Sequence, residues 1–178
     1  MVKLTLPLAA LAMAASVAAL PAATSGTTFS FAQWVEDIIA NPDTALTVDE
    51  AIAAANAAGI VGSAGGLQKR ANCDHAVGVW TRAPGRDAAA CVDYIARLGG
   101  LGYSCGIPPD EAVKQMCRIG GAQIVGLDSA YQSNWVNCND VARTAGRIFD
   151  SCWRADDTVM GVEICINSPL MDIGILGA

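Results

Sequence analysis

Seven cysteines, Cys73, Cys91, Cys105, Cys117, Cys138, Cys152 and Cys165, all fall after residue 72 of a 178-residue chain. This distribution separates the sequence into a cysteine-free leader and a cysteine-built remainder. Successive spacings of 18, 14, 12, 21, 14 and 13 residues contain no CxxC pair, and the single histidine is His75. That pattern excludes a structural zinc site and points to disulfides, which persist in oxidising compartments. An odd count leaves one thiol over, or one that pairs between chains. Cys165 is the expected unpaired one. It falls on the strand face opposite Val162, Ile164 and Ile166, and it is the only cysteine in the last strand pair. The framework is then Cys73, Cys91, Cys105, Cys117, Cys138 and Cys152, whose pairing order the spacing does not choose. A local bridge between Cys105 and Cys117, across Pro108-Pro109, is one expectation.

The leader has two parts. Lys3 followed by an apolar run from Leu4 to Leu20 reads as a secretory signal, with cleavage after Ala19 in Val17-Ala18-Ala19. An anchor is the alternative, but this alanine-rich run is short for a span of roughly 20 residues. No stable membrane anchor is expected. The second junction is Lys69-Arg70, the substrate of a dibasic endoprotease, preceded by Gly62-Ser63-Ala64-Gly65-Gly66, a composition that extends readily. The organisation expected is a signal peptide over 1–19, a pro-region over 20–70 and a mature domain over 71–178. Signal peptidase and the dibasic endoprotease are its maturation partners.

The pro-region carries helix signals. Phe31, Trp34, Val35, Ile38 and Ile39 follow the helical period, and Asn41-Pro42 ends the run. Thr47 and Glu50 form a capping box before an alanine-rich helix. Two short helices without a core of their own must dock on something or stay loose. A folding aid or mask over the mature domain stands beside disposable sequence as the two readings.

In 71–178, Asp87 is the expected cap of a helix with Ala88, Cys91, Ile95 and Leu98 on one face, stopped by Gly99-Gly100. A second helix over 137–153 shows Cys138, Val141, Ala145, Ile148 and Cys152 at alternating spacings of 3 and 4. Strands are expected over 76–81, 121–127, 158–167 and 170–176, with Ser168-Pro169 as the last turn. Residues 101–118 read as a short helix or a loop. This order predicts an α+β fold: a two-layer α/β sandwich, two helices on one mostly antiparallel sheet, disulfide-stapled.

Chemistry is sparse. Cys73-Asp74-His75 are sequence neighbours, which do not usually face one another. Gly99-Gly100-Leu101-Gly102 and Gly120-Gly121 do not follow a strand and open a helix, as a phosphate cradle requires. Asp110-Glu111 and Asp156-Asp157 read as solvated turns. No catalytic, cofactor-binding or metal-ligating residue is assigned. The formal net charge of −6 argues against a nucleic-acid partner. Trp135 and Trp153, with Arg143 and Arg147, form a candidate recognition surface, although core packing and a solvated face are the plainer readings of each.

The runs DAAACVDYIARLG, MCRIGGAQIVGL, NCNDVARTAGRIFDSC and TVMGVEICINSPLMDIGIL resemble small secreted fungal cysteine-rich proteins. Those proteins are similar in architecture to the killer toxins of smut fungi and to killer-toxin-like plant-pathogen effectors. The resemblance covers about residues 73–176. It implies a secreted, extracellular, non-enzymatic toxin or effector that binds a target on competing or host cells. A secreted ligand- or inhibitor-type binding module without toxicity is the alternative, and a small hydrolase is a further one.

Overall fold

The computed structural model describes residues 28–60, 71–73, 80–128 and 131–178. The chain begins with helices α1 (Phe31–Ala40) and α2 (Val48–Ala57). Strands β1 (Asn72–Cys73) and β2 (Ala83–Pro84) lead into α3 (Gly85–Gly100). Strands β3 (Ser104–Ile107), β4 (Val113–Ile119), β5 (Ala122–Leu127) and β6 (Asn134–Asn137) follow. Helix α4 (Cys138–Cys152) precedes β7 (Thr158–Val159), β8 (Gly161–Cys165) and β9 (Ser168–Gly177).

Five strands form one antiparallel sheet in the order β1-β8-β9-β5-β4. Two short antiparallel ribbons, β2-β7 and β3-β6, flank it. Helices α3 and α4 lie side by side on the sheet, giving the α/β sandwich. Helix α1 packs on α4 and α3, and α2 packs on α3, so residues 31–57 add an outer helical layer. A helix lying on a sheet buries one stripe. On α4, a second face is buried as well: Val141, Ala145, Ile148 and Cys152 are joined by Ala142, Gly146 and Phe149. The second face is the one α1 covers.

Three disulfides bind these layers. Cys73–Cys152 ties β1 to the end of α4, Cys91–Cys117 ties α3 to β4, and Cys105–Cys138 ties β3 to the start of α4. Closed loops of 26 to 79 residues place each bridge at about 3–5 kcal/mol of stabilisation in the chain-entropy account. The expected Cys105–Cys117 bridge does not form. Cys105 lies opposite Val136 in the β3-β6 ribbon, which delivers Cys138 beside it, while Cys117 sits on β4 under α3. Cys165 is buried and free.

Other expectations change with non-local pairing. Residues 101–118 contain strands β3 and β4 instead of a helix or loop, and β6 was not anticipated. Much of the expected strand over 76–81 lies outside the described residues, and β2 starts at Ala83. The last turn falls at Ile166-Asn167, with Asn167 at φ 63°, and Ser168 already belongs to β9. Helix α3 begins after Pro84 with no side-chain cap. Asp87 instead accepts from the amide of Gly121 at 2.8 Å, pinning the β4-β5 hairpin. Gly120 turns that hairpin at φ 52°, a region costly for other residues.

Candidate functional site

The contact between α1 and the α3–α4 layer concentrates the aromatic residues and the long-range polar contacts. It starts from the helical period of the sequence. Phe31, Trp34, Val35 and Ile38 are buried on one face of α1, and Trp34 donates its indole N–H to Leu46 O at 2.9 Å, closing the turn into α2. Thr47 and Glu50 complete the capping box that starts α2. Burying these four side chains of α1 is worth roughly 6–12 kcal/mol of transfer free energy, before the cost of ordering the segment.

The floor under α1 comes from α4. A Cβ on Gly146 would lie 3.0 Å from Ala32 Cα and 3.1 Å from Phe31 O, so any other residue here would have to push the two backbones apart by a few tenths of an ångström. Phe31 then packs its ring 4.4 Å from Phe149 and 5.5 Å from Trp153, while Phe149 and Trp153 stack at 5.8 Å. Trp153 also lies against Gly85 at the start of α3.

Polar groups fix the direction. Asp150, in the last turn of α4, accepts at 2.7 Å from Ser30 Oγ, at 2.7 Å from the Phe31 amide and at 3.1 Å from the Ala32 amide. Arg143, two turns earlier, donates to both oxygens of Glu36 at 2.7 and 3.0 Å. Helix α1 therefore runs antiparallel to α4. Arg86 holds Asp49 through two hydrogen bonds, and Arg97 donates to Pro42 O at 3.2 Å. Burial raises the Asp150 carboxyl above its ordinary range, against the lowering effect of Ser30, Ala32 and Phe31. The hydrogen bonds from Arg86 lower Asp49, and those to Glu36 hold Arg143 further into its charged form. Asp150 sits at the negative end of the α4 dipole and gains its favourable field from the amino terminus of α1.

A cleft of about 420 Å³ opens beside this contact, lined by Ser30, Glu36, Arg143, Arg147 and Ile166 among others. Its charged groups are already engaged. Arg143 has Glu36 and Asp140, and Arg147 lies 3.8 Å from Glu163.

The candidate recognition residues are not one surface. Trp135 is 56% exposed on β6, with its N–H donated to Ser133 Oγ at 3.0 Å. Trp153 is 1% exposed beneath α1, so core packing applies to it in the intact chain. The two flank opposite ends of α4, a 15-residue helix about 22 Å long. Arg143 is an ion-pair anchor for α1 instead of an open anionic-partner site, and Arg147, 43% exposed, lies 3.8 Å from Glu163. The contribution of Asp150 was missed by sequence reading. Its signal was an acidic residue in the last turn of a helix, where the dipole disfavours one.

Ala19, Lys69, Arg70, Asp74 and His75 lie outside the described residues. The Cys73 sulfur is taken up in its disulfide. Asp156 accepts from Thr158, whose hydroxyl lowers it, and Glu111 pairs with Lys114 at 3.3 Å, so these carboxylates serve turns. Among the described residues, no cluster of histidine, cysteine and acidic side chains could hold a metal ion. Among them, too, no helix is long and apolar enough to cross a membrane.

Fold and site together define a disulfide-stapled α+β sandwich carrying a docked two-helix segment on its helical layer. The chain belongs to the family described as a domain of unknown function, DUF8794, whose model matches residues 68–176. The match takes in the sandwich and leaves out α1 and α2. No curated protein and no solved structure matches the chain.

Proposed function

We propose that this chain is the secreted precursor of a non-enzymatic, killer-toxin-like or effector protein, whose 71–178 domain acts outside the cell by binding a target on competing or host cells. One observation carries the reading. A separate two-helix segment covers the apolar outer face of α3 and α4, and Lys69-Arg70 stands between that segment and the sandwich it covers. Cutting there converts a covered face into an accessible one without disturbing any disulfide, because residues 1–72 contain no cysteine. Three disulfides suit an oxidising extracellular setting. The start of the family match at residue 68 fits a functional unit that begins near the junction. The resemblance to killer toxins and effectors supplies the kind of action.

Intact mass of the protein secreted by its producing cells tests the maturation. The expected mass is that of 71–178 less six hydrogens. A product beginning near residue 20 would overturn the precursor reading. The secreted product is then applied at micromolar dose to competing fungi, bacteria and plant leaf tissue. Growth inhibition or a cell response supports the toxin or effector role, and the absence of both sinks it.

A further inference from the structure

We propose that the face of α4 and α3 beneath α1 is a receptor groove for an amphipathic helix of the target, seated antiparallel to α4 with its amino terminus against Asp150. Helix α1 holds that place until the chain is cut. The inference rests on the maturation reading above and adds the chemistry of the partner.

The groove has the three parts that helix recognition needs. Gly146 allows the guest backbone to approach α4. Phe149 and Trp153 form an aromatic wall that receives Phe31. Asp150 and Arg143 fix two points along the guest, the first at its amino terminus and the second at a mid-helix acid five residues after the leading aromatic. Asp150 is the discriminating element. Its hydrogen bonds go to Ser30, Phe31 and Ala32, and none goes to a described residue of 71–178. Within its own domain it sits at an unfavourable helix end. Consecutive backbone amides without internal partners are what the first turn of a helix presents. A carboxylate in this position therefore selects a helix start.

Removal of α1 also leaves an apolar face that must be covered again. Phe149 and Trp153, both buried in the intact chain, would lose the cover of Phe31. Contiguous apolar surface of this kind marks an interaction site. The seated α1 gives the pattern of its occupant: a hydroxyl cap, an aromatic directly after it, apolar residues three, four and seven positions later, and an acid at the fifth.

The test uses the full chain with a sequence-specific protease site in place of 62–66, cut after folding. The probe is a fluorescein-labelled helical peptide carrying Ser, Phe, Trp, Val, Ile and Glu at the α1 positions on an otherwise unrelated alanine-lysine scaffold. Fluorescence anisotropy is expected to show saturable binding to the cut chain, with displacement of the 28–60 segment on size-exclusion chromatography. Reversing the peptide sequence, or introducing Asp150→Ala into the chain, is expected to weaken binding about ten- to a hundredfold, the scale of hydrogen bonds to a charged acceptor. Asp150→Asn, which keeps the side-chain shape, is expected to weaken it in the same direction. Circular dichroism and the three disulfides should be unchanged in the variants used. Absence of saturable binding, equal binding of forward and reversed peptides, or a 28–60 segment that excess peptide does not displace would each overturn the groove. Failure of a dibasic endoprotease to cut the natural Lys69-Arg70 overturns the maturation reading instead, because the inserted site opens the groove independently.

Discussion

The amide of Phe31 donates to Oδ1 of Asp150 at 2.7 Å, joining residues 119 apart in sequence. With Ser30 Oγ and the Ala32 amide it gives the start of α1 a carboxylate from another helix as its cap. The two helices thus share one polar junction, and the junction is the most specific part of their contact.

Asp150 makes stability depend on pH in a definite direction. Burial raises its carboxyl in the folded chain above its unfolded value. Between those two values the folded state binds more protons than the unfolded state, so stability falls as pH rises. The native chain is therefore expected to gain stability relative to Asp150→Asn as pH falls from neutral through the raised value towards about 4. Thermal unfolding of both chains at several pH values reads this difference, and a native chain that loses ground on acidification would contradict it.

Phe31 is fully buried and touches Phe149 and Trp153. Phe31→Ala in the intact chain should cost about 3–5 kcal/mol, the range for deleting a large buried aromatic. Denaturant unfolding measures it. A loss under about 1 kcal/mol would mean that α1 is not part of the cooperative core.

Gly146→Val tests the close approach of the two backbones. The added Cβ meets Ala32 Cα and Phe31 O, which are backbone atoms and cannot rotate away. Helix α1 is expected to lift while the sheet and disulfides persist. Hydrogen exchange should rise at the Phe31 and Ala32 amides and stay unchanged in β5 and β9. Unchanged exchange at those two amides would rule out the contact.

The helical contributions to this interface were legible because their period is local. Of the stripe Phe31, Trp34, Val35, Ile38 and Ile39, all but the half-buried Ile39 are buried, and the capping box at Thr47 and Glu50 appears as read. Amphipathy says that a face is covered and does not say by what, so the docking on α4 needed the fold. Strand β8 shows the same limit. Alternation separates Val162, Ile164 and Ile166 from Gly161, Glu163 and Cys165 and leaves open which set faces the helices. The structure turns Gly161, Glu163 and Cys165 inward and leaves Ile164 59% exposed. Crowding explains Gly161, where a Cβ would lie 2.7 Å from Cys152 Sγ. Strands β3 and β6 are short and partly polar, and they exist because they pair with each other. The partner of Cys105 was hidden for the same reason.

Disulfide mapping checks that pairing directly. Proteolysis without reduction should yield peptides linking Cys73 to Cys152, Cys91 to Cys117 and Cys105 to Cys138. A Cys105–Cys117 peptide would contradict the β3-β6 ribbon, because the ribbon register brings Cys138 and not Cys117 beside Cys105.

Cys165 completes the cysteine chemistry. Its side chain is buried beneath α4, where Thr144 accepts from the Ile166 amide at 3.0 Å and holds the adjoining strand in place. Burial pushes its thiol up to about 11, so the reactive thiolate is scarce at pH 8 and access is closed as well. The folded chain is therefore expected to resist iodoacetamide at pH 8 and to take up one equivalent after unfolding in guanidinium without reductant. Mass spectrometry counts the adducts. Rapid labelling of the folded chain, or a disulfide-linked dimer on a non-reducing gel, would show that Cys165 leaves the core. Cys165→Ala should keep the three disulfides and lose only the small packing contribution of one sulfur, because no bridge depends on it.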